Sequence, residues 1–416
     1  MSASSTPRGG QESPANTFGE SSAGASASGA GATITASSAK SAGESGGGAG
    51  NSDGRRSLSK TPLRRFFEAA VRFEASDLLL RGGQVPKLRL RGSLKPLDTP
   101  PLDEGLFEQW IEAGLSAGQW ENYLQQGSID LGVDLDREHR FRVNIFRTRG
   151  RSAMAARRVN SKIFDFEQLH LPPSLAKITD LQQGLVLIAG VTGSGKSTTL
   201  ASILQHINER RACHILTIED PIEYLFQDAK AMVNQREIGI DVPDFSSALR
   251  ALVRENPDVV LIGEMRDKET FEAALQASET GHLVFGTIHA SSATQAFGRI
   301  YDLFEVEERS AIRHILAYQM QAFIYQKLLP TVQPEIQRVP AVEILLQSPP
   351  TRKYILDGRE HDLGDVIKNH REDGMQTFTD SLVDLVETQF IHPRVAVAAA
   401  NLPEEVKMRL RGINTE

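Results

Sequence analysis

From residue 61 onward the apolar positions fall into two rhythms. Phe66, Phe67, Ala70, Val71 and Phe73 recur at helical intervals behind the Thr61-Pro62 pair, which predicts a helix capped by Thr61. Short strand-like runs follow at 78–80 and 87–91, split by Gly82-Gly83. Helical stretches over 103–113 and 117–126 lead to another strand at 129–135. Residues 140–145 alternate strictly between polar and apolar, turn near Arg149-Gly150 and return as 153–159, the pattern of a hairpin with one buried face. Around Leu171-Pro172-Pro173 this unit is expected to end. Beyond it, apolar runs at 185–189, 214–218, 259–262, 283–287 and 341–346 are separated by helical segments, which predicts a mostly parallel α/β sheet.

Composition divides the chain further. Its 416 residues, 40% hydrophobic and 24% charged, are those of a soluble globular protein large enough for two domains. Residues 1–60 are mainly Ser, Gly, Ala and Thr and cannot bury enough surface to offset their chain entropy, so they are expected to be a disordered tail. The folded domains are then 61–172 and 173–416. The tail lacks the apolar core of a signal peptide and no segment has about eighteen unbroken apolar residues, so a cytoplasmic location is expected. A single cysteine, Cys213, excludes an internal disulfide and a cysteine-rich zinc site. The net charge of −7 argues against bulk attraction to nucleic acid. One segment runs the other way: between Arg137 and Arg158 eight arginines face one acid, a local charge of +7. With only Phe141 and Phe146 interleaved, it lacks the stacking aromatics of a single-strand groove, and no nucleic-acid partner is expected.

The candidate chemistry begins at Gly190-Val191-Thr192-Gly193-Ser194-Gly195-Lys196-Ser197. An apolar strand precedes this loop and an amphipathic stretch, 198–207, follows it, the context that a P-loop requires. Glycines at 190, 193 and 195 let successive N–H groups converge on phosphate oxygens, Thr192, Ser194 and Thr198 complete the cradle, and the helix dipole adds positive potential. Lys196 is placed to neutralise the β- and γ-phosphates of ATP and the Ser197 hydroxyl to ligate Mg²⁺. Two acidic clusters sit at strand ends, where ligands collect in an open α/β sheet. One is Thr217-Ile218-Glu219-Asp220-Pro221-Ile222-Glu223; the other is the run 258–264 that closes on Glu264. Phosphoryl transfer to water needs such carboxylates for the metal shell and for the attacking water.

These residues carry a family resemblance over about residues 61–400. The chain resembles the type IV pilus and type II secretion ATPases, closest to the PilT retraction branch. Residues 190–199 match the family's Walker A, Ile218-Glu219-Asp220-Pro221-Ile222-Glu223 its aspartate box, 261–267 its Walker B and 280–289 its histidine box. Val233-Asn234-Gln235-Arg236-Glu237, Ala75-Ser76-Asp77-Leu78 and Arg140-Phe141-Arg142-Val143-Asn144 match elsewhere. The resemblance implies a RecA-like P-loop ATPase domain preceded by a PAS-like domain. It makes Glu264 part of the metal shell and Glu223, ahead of Glu219, the water activator. His282 and His289 would link the γ-phosphate to a subunit interface, and Arg142 and Arg157 would be arginine fingers. It also implies a homohexameric motor at the cytoplasmic face of the inner membrane, peripherally associated with a pilus platform protein. Three departures stand out. Val191 replaces the usual proline, the stretch 350–357 keeps little of the Ala-Ile-Arg-Asn-Leu-Ile-Arg-Glu signature linked to retraction, and compact relatives lack the tail.

Overall fold

The computed structural model describes residues 34–35, 56–252 and 254–412. Most of the expected tail lies outside these residues, but its last positions belong to the folded domain. The helical turn Leu58–Lys60 buries Leu58, 1% exposed, so close to Gly114 that a β-carbon there would meet the leucine side chain at 2.6 Å. The domain therefore starts before 61; one leucine among Ser, Arg and Lys is too weak a pattern to mark that start. Thr61 also differs from expectation. Its hydroxyl donates to the Leu58 carbonyl and accepts from the Leu63 amide, closing the preceding turn rather than capping the helix after it.

The first domain runs β1 (Ile34–Thr35), α1 (Arg64–Arg72), β2 (Asp77–Arg81), β3 (Lys87–Leu90), β4 (Ser93–Asp98), α2 (Glu104–Gly114), α3 (Ala117–Gln126), β5 (Ser128–Asp134), β6 (Arg140–Thr148) and β7 (Arg151–Arg158). Its sheet has the order β1-β4-β3-β2-β7-β6-β5, antiparallel except where β1 joins β4. Asp103 caps α2, and Ser116 and Gln119 form a reciprocal capping box on α3. Alternation along β6 buries Phe141, Val143 and Ile145 in the domain core and leaves Arg142 exposed on the opposite face. Arg149 and Gly150 both have positive φ, 51° and 76°, as a two-residue I′ hairpin turn demands.

The second domain runs α4 (Ala176–Thr179), β8 (Gly184–Ala189), α5 (Lys196–Arg210), β9 (His214–Glu219), β10 (Met232–Glu237), α6 (Phe245–Leu252), β11 (Val259–Ile262), α7 (Lys268–Glu279), β12 (Leu283–Ile288), α8 (Ala293–Tyr301), α9 (Arg309–Gln319), β13 (Met320–Pro330) and β14 (Arg338–Leu346). Helices α10 (Pro349–Leu356), α11 (Leu363–Asn369), α12 (Phe378–Glu387), α13 (Pro393–Ala399) and α14 (Pro403–Arg409) follow. The sheet order is β10-β9-β11-β12-β8-β13-β14, parallel throughout except for β14. Strands β8 and β12 are fully buried because apolar clusters cover both faces, which is why they read as continuous apolar runs.

Hydrogen bonds join the domains. The Arg140 guanidinium donates to Glu237 at 3.2 Å, with only 14% and 6% of the two side chains exposed, and to Asp134 at 2.9 Å. Past β7, the Asn160 N–H donates to the Glu223 carbonyl at 3.3 Å and the Leu225 N–H to the Asn160 carbonyl at 2.9 Å. The linker is thus bridged in parallel to residues 223–225.

Candidate nucleotide site

Strand β8 delivers the chain to the carboxyl edge of the sheet, where Gly190, Gly193 and Gly195 take φ of 155°, 79° and 88°. These conformations strain any side chain, and space forbids one as well: a β-carbon on Gly190 would lie 2.4 Å from the Gln326 carbonyl oxygen. The loop opens into α5, whose first turn presents Lys196, Ser197 and Thr198 to a cleft of about 640 Å³. The unpaired N–H groups of that turn favour an anion. Lys196 Nζ donates to the Gly190 and Val191 carbonyls at 2.8 and 3.2 Å, so the ammonium is held over the loop. Burial pushes its pKa down, while the charges of Glu264 and Glu223 oppose that shift.

The carboxylates arrive from neighbouring strands. Glu264, just past β11, accepts from the Arg266 guanidinium at 2.6 Å. His289, just past β12, brings Nε2 to 3.0 Å from Glu264 Oε1, an ion-pair distance without hydrogen-bond alignment. The Arg266 bond, set against partial burial, holds the Glu264 carboxyl below its usual range. Its Oε1 is buried without a hydrogen-bond partner, and Glu264 lines the same cleft as Ser197. That donor set, an ionised carboxylate oxygen and a hydroxyl beside a phosphate cradle, fits Mg²⁺, which prefers oxygen ligands shared with phosphates.

Glu219 and Glu223 differ in environment. Glu223 is exposed on the cleft wall. Glu219, 8% exposed, accepts from the Thr217 hydroxyl at 2.7 Å and from Gln235 Nε2 at 3.1 Å. Burial pushes its pKa up to about 7. A carboxyl raised in this way stays protonated in the folded state while the unfolded chain ionises near pH 4.3, so stability falls as pH rises from about 4.3 to about 7. Replacing Glu219 by Gln is therefore expected to raise the melting temperature at pH 8 and to change it little at pH 4. The difference at pH 8 is on the order of 3 kcal/mol; equal gains at both pH values would refute it.

Three expected participants lie elsewhere in the chain. Arg142 and Arg157 are direct cross-strand partners on the exposed face of the first domain, outside the cleft, and Arg157 is engaged through Nε by Asp77 at 2.9 Å. His282 precedes β12, whereas His289 follows it, so the six-residue strand separates them by about 20 Å. His282 Nδ1 instead sits 2.9 Å from the Ala277 carbonyl and 3.1 Å from the Thr280 hydroxyl at the end of α7. His282 therefore lies outside this chain's own cleft. Two contributors went unread. Gln326 braces the loop from β13, and the Tyr224 hydroxyl lies 2.8 Å from that of Thr198. Tyr224 directly follows the aspartate-box segment, a position that offered a signal; Gln326 offered none.

A glycine cradle after a central strand, with a lysine at its mouth and carboxylates after parallel neighbours, defines a P-loop ATPase. The family model described as "Type II/IV secretion system protein" matches residues 64–387, and the chain belongs to that family. It is 38% identical over 330 residues to the "Type IV pilus retractation ATPase PilT" of Pseudomonas aeruginosa, covering 79% of this chain and 95% of the relative. It is 33% identical over 336 residues to the "Type IV pilus ATPase PilU" of the same organism, covering 81% and 88%. Among solved structures, the pilus retraction motor PilT with bound ADP superposes with a TM-score of 0.75 at 37% identity, over 82% of this chain and 97% of that one.

Proposed function

We propose that this chain is a motor ATPase that assembles as a homohexameric ring, hydrolyses ATP with Mg²⁺ and drives pilus retraction through a membrane platform protein. The observation that carries the ring is a separation: each chain has a complete phosphate cradle, while the arginines expected to stabilise the transferring phosphoryl group stand on an exposed sheet face outside it. A second subunit brings such a face to the cleft, and closed symmetry satisfies every copy. Similarity over nearly the full length of PilT supports the retraction output. Among the described residues no helix is long and apolar enough to cross a membrane. A peripheral position at the cytoplasmic face of the inner membrane agrees with that.

In this reading Lys196 and the loop amides hold the β- and γ-phosphates, and Glu223, exposed on the cleft wall, orients the attacking water. Bound Mg²⁺ would neutralise charge on the phosphate oxygens. Glu264, kept ionised by Arg266, and Ser197 are the side chains that would hold it. Arg142 and Arg157 of the adjacent copy supply planar, permanent positive charge. An accessory pilus ATPase is the second reading, favoured by helix α10, where the retraction-linked signature is mostly absent.

The test is ATPase rate per subunit against protein concentration, with light scattering on the same samples and single-stranded DNA in a parallel set. A rate that climbs as hexamer forms and ignores DNA is expected. A rate independent of assembly would remove the ring from the mechanism, and stimulation by DNA would point to a translocase.

A further inference from the structure

We infer that Gln326 sets the orientation of the Ser194–Gly195 peptide and so acts as a positioning residue for nucleotide binding. The inference rests on the cleft binding nucleotide, not on the ring or on the pilus. Gln326 lies one residue past the last β8–β13 pairing, Tyr325 with Ala189, and is 2% exposed. Its Nε2 donates to the Ser194 carbonyl at 2.8 Å and its Oε1 accepts from the Thr199 hydroxyl at 2.7 Å. A carbonyl can only accept, so the amide nitrogen must face Ser194, and Thr199 holds the oxygen end. The strut is therefore fixed at both ends.

A peptide unit is planar and trans, so its C=O and N–H point in opposite directions. Tying the Ser194 carbonyl to β13 turns the Gly195 N–H away from β13, toward the cleft where α5 begins. The Ser194 N–H is already spent inside the loop, donating to the Val191 carbonyl at 3.1 Å. Of these two adjacent amides, only that of Gly195 is aimed outward by the strut. The loop cannot hold this arrangement alone. Ser194 is flanked by Gly193 and Gly195, residues with little intrinsic backbone preference. The side chain also touches the space glycine leaves: a β-carbon on Gly195 would meet Gln326 Nε2 at 2.8 Å.

Calorimetric titration of the full chain with ADP, beside thermal melting without nucleotide, decides the matter. Gln326→Met fills the same volume but cannot donate. Because the buried Ser194 carbonyl and Thr199 hydroxyl lose their partner, it is expected to melt somewhat below the unmodified chain, and to bind ADP about tenfold more weakly, the loss of one hydrogen bond to a charged group. Thr199→Val releases the amide's oxygen end and is expected to weaken ADP about threefold, with the double variant no worse than Gln326→Met alone. Unchanged ADP affinity in Gln326→Met overturns the inference, because it leaves only a packing role. Where Gln326→Met fails to fold, Thr199→Val decides by the same criterion. An unmodified chain that does not bind ADP overturns both this inference and the reading of the cleft beneath it.

Discussion

Glu264→Gln is expected to bind ATP as the unmodified chain does and to lose turnover by about 10²-fold or more. Glutamine keeps the shape and one acceptor oxygen but removes the negative charge that pairs with Arg266 and His289 and acts on Lys196. Ground-state binding of the phosphates draws on the glycine loop, Lys196 and the first turn of α5, and the side-chain oxygen kept in Glu264→Gln can still face Mg²⁺. The charge matters when the metal shell and the attacking water must be polarised, so its loss falls on kcat. Titration with a non-hydrolysable ATP analogue and a phosphate-release assay separate the two effects. Hydrolysis within tenfold of the unmodified rate would remove Glu264 from the mechanism.

Arg157→Ala carries the other large expectation. Arginine fingers contribute about 10³ to 10⁵ in rate, and Arg157 is well suited to reach out: its side chain is 75% exposed and only Nε is tied to Asp77. Nucleotide affinity of dilute, separated subunits should not change, because Arg157 lies outside the chain's own cleft. The sharper experiment mixes two inactive proteins. Chains with Arg157→Ala retain an intact cleft, and chains with Glu264→Gln retain an intact arginine face. Mixed rings contain interfaces where the two intact halves meet, and hydrolysis should reappear on mixing. A mixture as inactive as its components would mean that Arg157 does not act across a subunit boundary.

Much of this architecture was legible because its strands follow simple patterns. Strands β8, β9, β11 and β12 are apolar runs between helices, and their carboxyl ends could be located to within a residue or two. The hairpin of β6 and β7 announced itself through strict alternation and an Arg-Gly turn. What remained hidden had weaker local signals. Strand β10 reads Met-Val-Asn-Gln-Arg-Glu; it lies at the sheet edge and is largely polar, so no buried face marks it. Strand β13 follows α9 without an intervening glycine or proline, and its apolar residues merge with those of the helix. Missing β13 meant missing Gln326. The arginine hairpin was legible as a charge excess, and the resemblance set Arg142 and Arg157 apart, but nothing marked Arg140, which turns inward to Glu237 while the other two stay outside. Which arginine does which depends on a domain contact that spans 97 positions of sequence.

The bridge at Asn160 gives that partition a mechanical meaning. Arg157 and Asn160 are three residues apart on one extended stretch, about 10 Å end to end, with the arginine at one end and a grip on the Glu223–Leu225 backbone at the other. Arg140 fastens the same hairpin at a second point, so the small domain is mounted as a door on two hinges rather than as a weight on a string. A tether this short has almost no slack to absorb movement. In the ring proposed above, a pull on an arginine at the neighbour's cleft would arrive at the backbone of the carboxylate in the subunit's own cleft through a stretch of only three residues.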